Sequence, residues 1–596
     1  VLLWSLVTLP LVAGGLLALA GRRADRAAQV LGGLVATVVV ALATAAALVR
    51  PAVDAPLFAG IRAGLGVDGL SALMVLTVAG VTLAVLVFAA GEPELCTARF
   101  VGFVLLFAGA MLVTVTATTL AVLLMAWEVM GAMSWALVGY DWREQQKVRA
   151  AHTAFLTTRL ADLGLYVAAG AALAGGVGTL ALDGLAGAAA PWLHVVAAGV
   201  VVAALGKSAQ LPFSFWLSRA MEGPSPVSAL LHSATMVAAG AYLLLRLVLL
   251  LDATGWAAPT VASIGAATAL LLGLVAVAQA DLKQLLAAST CAQIGFMVLA
   301  AGAGGVTAGG LQLVAHAATK SLLFLGAGAW LVVLGTKRLG ELRGAARRYP
   351  LVGVTFTVGA ATLAGLPPLS LWVTKDAVLA AALERSPALY SAGLAASVVS
   401  AVYATKAVWF VWQPAPGGAV DPPERVSASM RAPLVGLAGT AAVLGLLAVP
   451  LTVEPAPKWW ELTLSAVLAT GTVALTWRLG HRAPEAHVLA GWLGLERAAH
   501  AVVVRPTLGL ARALARFDDV VIDGWVIAVA RTTRVTASGL DRRGELSVDG
   551  AVRGIAAGAR ALGRLARRPQ TGQLHHYYAQ AAAVLAALAL FVIVLR

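Results

Sequence analysis

Apolar positions along this chain neither alternate nor recur at helical spacing. They run on, in stretch after stretch of about 20 residues built from Ala, Leu, Val and Gly. An α-helix needs that length to cross a hydrocarbon core of roughly 30 Å, whereas a membrane barrel would show short strands alternating apolar with polar. The runs predict helices at 1–20, 27–48, 68–90, 99–118, 119–140, 153–176, 192–217, 226–251, 256–279, 282–303, 306–334, 351–384, 388–412, 432–451, 458–479 and 578–596. The fold class that follows is an all-α polytopic membrane protein with sixteen transmembrane helices.

The polar positions between the runs are not scattered evenly. Loops after odd-numbered helices, up to the thirteenth, carry sixteen basic residues: Arg22, Arg23, Arg26, Arg99, Arg143, Lys147, Arg149, Arg219, Lys283, Lys337, Arg338, Arg343, Arg347, Arg348, Arg425 and Arg431. Loops after even-numbered helices carry four, Arg50, Arg62, Arg385 and Lys458. Basic loops stay cytoplasmic, so the N-terminus is expected outside. This ordering also disposes of a nucleic-acid reading of the net charge of +14, because the basic residues form topology signals rather than one patch.

Composition changes the picture little: 60% of 596 residues are hydrophobic and 12% charged. Two cysteines, Cys96 and Cys291, cannot supply the thiolates of an iron–sulfur cluster or a structural zinc site, and no metal site is expected. Run 1–20 has its arginines after it and no basic segment before it, so it reads as a retained helix despite the cleavage-like "ALAG" at 18–21. Residues 480–577 are too polar to span, with fourteen Arg and eight Asp or Glu. There Arg553, Arg560, Arg564 and Arg567 recur along one helical face, with Ile555, Leu562 and Leu565 available for another. A lateral amphipathic segment is expected, whose simplest role is to lie on anionic lipid before the anchor at 578–596.

Two spans are broken by proline. "GKSAQLPFSFW" puts Pro212 into the seventh, and "AGLPPLSLWVTKDA" puts Pro367 and Pro368 into the twelfth. Lys207 and Lys375 stand near the two breaks, five helices apart. Breaks at matching positions of two five-helix units mark an inverted repeat, since odd-numbered units face opposite ways. "GKS" is not a phosphate-binding loop, because that motif needs glycine at 201, where Val201 stands.

Charges at bilayer depth are costly and become functional candidates by default. Glu128, Lys207, His232, His316, Lys320 and Lys375 form a polar series through successive helices, with Gln312, His316 and Lys320 on one face of the eleventh. Burial favours neutral lysine and a nearby carboxylate favours the ammonium, so a Glu128–Lys207 pair would be poised to gain or lose a proton. Arg159 and Asp162, three apart on one helix, are as readily a self-neutralising pair as relay members. Asp376 and Lys406 fit local pairing or snorkelling at helix ends.

These residues carry a family resemblance. "WEVMGAMSWALVGY", "GKSAQLPFSFWLSRAMEGPSPVSALLHSATMVAAGAYLL", "QADLKQLLAASTCAQIGFMVLAAG", "HAATKSLLFLGAG" and "LWVTKDAVLAA" resemble the antiporter-like subunits of respiratory complex I and of Mrp-type cation/proton antiporters. "FDDVVIDGW", "SVDGAV" and "RPQTGQLHHYYA" look like the lateral helix and final anchor of the distal member of that family. The resemblance implies N-terminal helices at 1–98, five-helix repeats at 99–251 and 256–412, core helices at 432–479, the lateral segment at 480–577 and the anchor. It implies Glu128 and Lys207 as a coupled pair, His232 as a bridge, His316 and Lys320 as the central relay, and Lys375 near the outer exit. It further implies a bacterial inner membrane, neighbouring antiporter-like subunits as partners, and NADH, FMN, iron–sulfur clusters and quinone in partner subunits, none in this chain.

Three departures stand against the family pattern. Gln312 replaces a common histidine, Gln284 replaces a second lysine, and Ala288 and Ala292 stand where tyrosine–serine chemistry is usual. Glutamine hydrogen-bonds but does not titrate. Three functions remain in view: a proton-translocating subunit of a complex-I-like NADH:quinone oxidoreductase, a cation/proton antiporter or ion-coupled inorganic-carbon uptake subunit, and an inactive membrane scaffold.

Overall fold

The computed structural model describes residues 1–58, 60–415, 425–448, 455–480, 487–541 and 547–595. Two compact units divide it, Val1–Glu496 and Arg497–Arg596. In the first, α1 (Leu2–Ala20) and α2 (Asp25–Val49) lead into an antiparallel hairpin, β1 (Ala52–Phe58) with β2 (Ile61–Gly66), pairing Ala52 with Gly66. Apolar runs alone gave no hint of these strands. Thr118 N donates to Gly64 O at 3.0 Å and Leu182 N to Thr118 O at 2.9 Å, so the hairpin is stitched to neighbouring loops.

The helices that follow are α3 (Gly69–Ala89), α4 (Ala98–Thr116), α5 (Leu120–Val138), α6 (Gln145–Ala174), α7 (Trp192–Lys207), α8 (Phe215–Ala220), α9 (Ser225–Ala229), α10 (Met236–Arg246) and α11 (Val248–Ala253). Then come α12 (Ala257–Ala278), α13 (Leu282–Ala303), α14 (Val306–Leu334), α15 (Ala345–Arg348), α16 (Pro350–Ala364), α17 (Ser370–Arg385), α18 (Pro387–Trp412), α19 (Ala428–Ala448), α20 (Trp459–Leu479) and α21 (His487–Ala490). Starts follow side-chain chemistry: Asp68 and Ser71 cap α3 reciprocally, and Thr97 and Asp281 accept from the first turns of α4 and α13. Gly304, Gly335 and Gly365 end α13, α14 and α16 in the left-handed conformation.

Each predicted span coincides with a helix or with consecutive shorter helices, although residues 449–451 of the fourteenth and 596 of the sixteenth lie outside the described residues. By length and composition, twelve segments among the described residues can cross a membrane, with α1 and α2 merged as Leu2–Val49. The chain is a multi-pass membrane protein. Lipid gives apolar helices no hydrophobic reason to associate, so close backbone contact must hold them. Glycines supply it: a Cβ on Gly164 of α6 would lie 2.4 Å from Gly199 O of α7, and one on Gly265 of α12 2.7 Å from Gly295 O of α13.

The second unit continues α22 (Leu495–Ala499) through α23 (Arg505–Phe517), α24 (Asp523–Asp541), α25 (Ser547–Arg567) and α26 (Leu574–Val594). Single π-turns at His500–Val504 and Asp518–Ile522 join the first three. The arginine stripe falls on α25, as its spacing predicts.

Candidate functional site

Lys207 is the last residue of α7 and is completely buried. Its Nζ lies 2.9 Å from Asp162 Oδ2 on α6 and 5.1 Å from the centroid of the Trp127 ring on α5. Trp127 Nε1 donates to the other carboxylate oxygen, Asp162 Oδ1, at 2.6 Å. An ammonium, a carboxylate and an indole from three helices thus close one buried unit. Both charges are neutralised and both carboxylate oxygens are bonded, as burial of an ion pair demands.

This geometry corrects two sequence expectations. Lys207 does not pair with Glu128, and Arg159 does not pair with Asp162. Glu128 forms its ion pair with Arg159 and accepts from Tyr166 Oη at 3.1 Å. Residues three apart on a helix differ in direction by about 60°, enough to split one face at a packing seam. Asp162 points into the α6–α7 contact and is 3% exposed, while the Glu128 and Arg159 side chains remain 27% and 35% exposed. Trp127, one position before Glu128, takes the inward direction that sequence reasoning had given to the acid.

The break after Lys207 is a polar cluster in its own right. Trp216 Nε1 donates to Gly206 O at 2.9 Å, replacing the helical bond lost there. Ser208 Oγ donates to Val237 O at 2.7 Å and accepts from Ala241 N at 2.9 Å, tying the break to α10. Gln210 Nε2 reaches Ser208 O and Cys291 O, and Leu211 N donates to Thr268 Oγ1. Irregular backbone at membrane depth survives only when its polar groups are satisfied in this way.

His232 sits in a π-turn, Leu230–Ala234, between α9 and α10. Its ring stands edge-on to Trp216, with centroids 6.0 Å apart, and neither ring nitrogen has a hydrogen-bond partner. Two orphan nitrogens in a buried imidazole are costly, and π-turns recur at functional positions. Next to it, Ser233 Oγ is 3.5 Å from Ser321 Oγ of α14. His316, on α14, lies beside the Ser233 backbone, likewise with no hydrogen bond of normal geometry.

Lys320 Nζ donates to Leu286 O at 3.1 Å and to Ser289 Oγ, both on α13. Lys375 Nζ, in α17, donates to Ser400 Oγ and to Leu363 O, each at 2.8 Å. Leu363 O is a carbonyl freed at the end of α16, the negative pole of that half-helix. Lys406 does the same for α12, reaching Val277 O at 2.8 Å and Gln279 O at 3.1 Å. Asp376 accepts from Ser465 Oγ of α20, which also accepts from Trp372 Nε1. Asp376 and Lys406 are therefore buried in the bundle rather than snorkelling at its edge.

Gln312 has a definite place. Thr374 Oγ1 donates to its Oε1 at 2.5 Å, its Nε2 donates to Gln293 Oε1 at 3.3 Å, and Gln293 Nε2 donates to Tyr403 Oη at 2.9 Å. This neutral chain ties α17, α14, α13 and α18 together beside His316. Gln284 also has partners, Ser218 Oγ and Ser218 O. Lys283, assigned to a loop by sequence, is buried in the first turn of α13 and donates to Gly223 O at 2.7 Å. Trp127, Gln293 and Tyr403 were missed because aromatic and amide side chains in an apolar run carry no charge to draw the eye.

Similarity to known proteins covers this whole region. Residues 117–403 match the NADH:quinone oxidoreductase/Mrp antiporter transmembrane family, an interval holding every relay candidate except Lys406. The NADH-quinone oxidoreductase subunit L of Mycobacterium tuberculosis is 34% identical over 90% of this chain and 93% of that protein. Subunit L of Pseudomonas aeruginosa is 35% identical over 59% of this chain and 58% of that one. Among solved structures, a chain of the Mrp complex from a Dietzia species aligns with a TM-score of 0.69 and 27% identity, over 100% of this chain and 63% of the longer one. A chain of respiratory complex I from Thermus thermophilus gives 0.67 and 25%, over 79% of this chain and 99% of that one.

Proposed function

This chain belongs to the family of membrane subunits shared by NADH:quinone oxidoreductases and Mrp antiporters, and on that footing we propose that it is the L-type (subunit 5) proton-translocating subunit of a complex-I-like assembly. H⁺ moves through the buried relay while partner subunits, holding NADH, FMN, iron–sulfur clusters and quinone, supply the driving redox chemistry. The observation that carries this reading is the sealed Lys207–Asp162–Trp127 unit, with Trp216 leading from its break to the His232 ring and with His316, Lys320 and Lys375 buried further along the bundle. A scaffold has no use for so many buried titratable groups.

The finer architecture belongs to the same proposal: sixteen crossings, an N-terminus outside a bacterial inner membrane, inverted repeats at 99–251 and 256–412, and a lateral segment bracing neighbouring antiporter-like subunits. Support for the repeats is that the fourth of the five spans in each is broken at proline, with a lysine near the break, Lys207 in one and Lys375 in the other. The orientation rests on the sixteen-to-four loop asymmetry.

The test is Lys207→Ala in the assembled complex, reconstituted in vesicles. Pumped protons per electron should fall while the complex still assembles. Unchanged pumping returns the chain to the scaffold reading. The likeness to the Mrp complex, which extends over this whole chain, favours a second reading, a cation/proton antiporter or ion-coupled carbon-uptake subunit. Gentle-detergent purification separates the two: co-purifying iron–sulfur and NADH- or quinone-binding subunits support the first, and small membrane subunits alone support the second.

A further inference from the structure

The amide chain beside His316 has a direction that the relay has not used. Thr374 Oγ1 donates to Gln312 Oε1 at 2.5 Å, Gln312 Nε2 to Gln293 Oε1 at 3.3 Å, and Gln293 Nε2 to Tyr403 Oη at 2.9 Å. Every donor therefore points from α17 toward α18. Because the Tyr403 oxygen accepts from Gln293, its own hydrogen turns away from that amide. Ser400 stands one turn earlier on α18, beside the phenol hydroxyl. Ser400 Oγ is in turn the acceptor of Lys375 Nζ at 2.8 Å, and Lys375 directly follows Thr374. The network begins one residue from Lys375 and returns to its amine.

Both hydroxyls at the ends have a second place for their hydrogen. Thr374 Oγ1 lies 3.2 Å from Ser370 O, and Ser400 Oγ lies 2.8 Å from Ser397 O. Between them, each amide presents a donor and an acceptor of nearly equal reach, so half a turn about its last bond exchanges the two without changing its shape. None of the six side chains is more than 3% exposed, so a bond lost here is not replaced by water. A chain of mixed direction sets two donors or two acceptors face to face; only the two uniform directions satisfy every group. Toward Lys375 the donors run Thr374, Gln312, Gln293, Tyr403, Ser400, and the last acceptor is the lone pair of a neutral amine. In the other direction an ammonium donates to Ser400, and the donors run back to Thr374, whose hydrogen goes to Ser370 O. An ammonium has three donors and no acceptor, so it fits the second direction alone.

We propose that Gln312 and Gln293 are positioning residues of a reversible chain, whose donors point at Lys375 while its amine is neutral and turn over together when the amine takes up H⁺. This rests on Lys375 belonging to the relay of the proposed function. No proton travels through the chain: each amide keeps both hydrogens and each hydroxyl keeps its one, while Lys375 exchanges H⁺ with the relay. What travels is polarity. Bonds in series polarise one another, so reversal carries the charge state of Lys375 to Gln312, one turn from His316 on α14. A titratable ring at 312 could take a proton of its own, whereas a glutamine only turns.

The test is infrared difference spectroscopy of the assembled complex, NADH-reduced minus oxidised, prepared with glutamine isotope-labelled at its side-chain carbonyl. Bands that move with the label should appear in the wild type and be lost in Gln312→Met and in Lys375→Met. Amides that merely tie helices together give no such band, and its absence from the wild type overturns the proposal. Thr374→Val leaves Gln312 Nε2 without an acceptor in the reversed direction, so it should lock the chain, lose the band and lose this subunit's share of the protons pumped per electron. Thr374→Ser, which keeps the hydroxyl, should restore most of both. If Gln312→Met and Thr374→Val pump like wild type while Lys375→Met does not, the proposal is overturned and the relay stands. If Lys375→Met also pumps like wild type, both fall. Should Gln312→Met fail to assemble, Thr374→Val decides, and a glutamine band unchanged in that variant overturns the proposal.

Discussion

Lys207 and Lys320 are both fully buried lysines of one relay, and they are held in different ways. Lys207 has a carboxylate, Asp162, whose second oxygen is secured by Trp127. Lys320 has a backbone carbonyl and a serine hydroxyl, and Lys375 repeats that arrangement with Leu363 O and Ser400 Oγ. A proton leaving Lys207 strands a buried anion, so that step needs a change elsewhere, such as a second cation offered to Asp162. A proton leaving Lys320 strands only neutral oxygens. The first site is built to hold a charge pair and the second to pass a charge on.

The largest effect should come from breaking the pair. Asp162→Asn leaves the Lys207 ammonium buried against neutral atoms, a loss on the order of 3–5 kcal/mol for a buried pair cut on one side. Thermal unfolding of the detergent-solubilised protein would register it. The double variant Asp162→Asn/Lys207→Met should regain most of the loss, because the orphan charge is gone. A single variant costing less than about 1 kcal/mol, the value of a surface pair, would erase the distinction between the two sites.

Lys320→Met gives the opposite balance. No ion pair is broken, so the stability change should stay within the roughly 0.5–3 kcal/mol span of ordinary substitutions. Pumping per electron, however, should fall about as far as in Lys207→Ala. A variant that pumps normally would remove Lys320 from the relay, and one that unfolds would show that the lysine is structural.

Much of this was legible in the sequence because membrane proteins expose their logic as run lengths. Every expected span is matched by helix, and both proline breaks fall between half-helices, since twenty apolar residues in lipid have no alternative to a helix. Pairing was not legible. The positions of Glu128, Arg159, Asp162 and Lys207 allow several ion pairs, and the choice is made by how α5, α6 and α7 rotate about their contacts, which Gly164 and Gly199 set at backbone distance. Gln312 was read as a lost histidine because a string of letters shows what cannot titrate, not what is being held. In the fold its amide donates and accepts at once, joining Thr374 to Gln293. The β-hairpin escaped notice for a related reason: a loop between apolar runs looks like a mere connection.

The smallest effect on stability, and the sharpest probe of the comparison, is expected at Glu128. Its pair with Arg159 is about one-third exposed on each side, so Glu128→Gln should cost no more than about 1 kcal/mol. What it changes is the freedom of Arg159. Released from Glu128, the guanidinium lies one turn from Asp162 on the same helix and can compete with Lys207 for that carboxylate. Pumping should then fall in Glu128→Gln although its thermal unfolding is nearly that of wild type. Arg159→Gln placed in the same background should raise it again, because the competing cation is gone. Should pumping be lost equally in both variants, Glu128 would act on the proton itself, and the separation seen here between an outer pair and an inner pair would not govern transport.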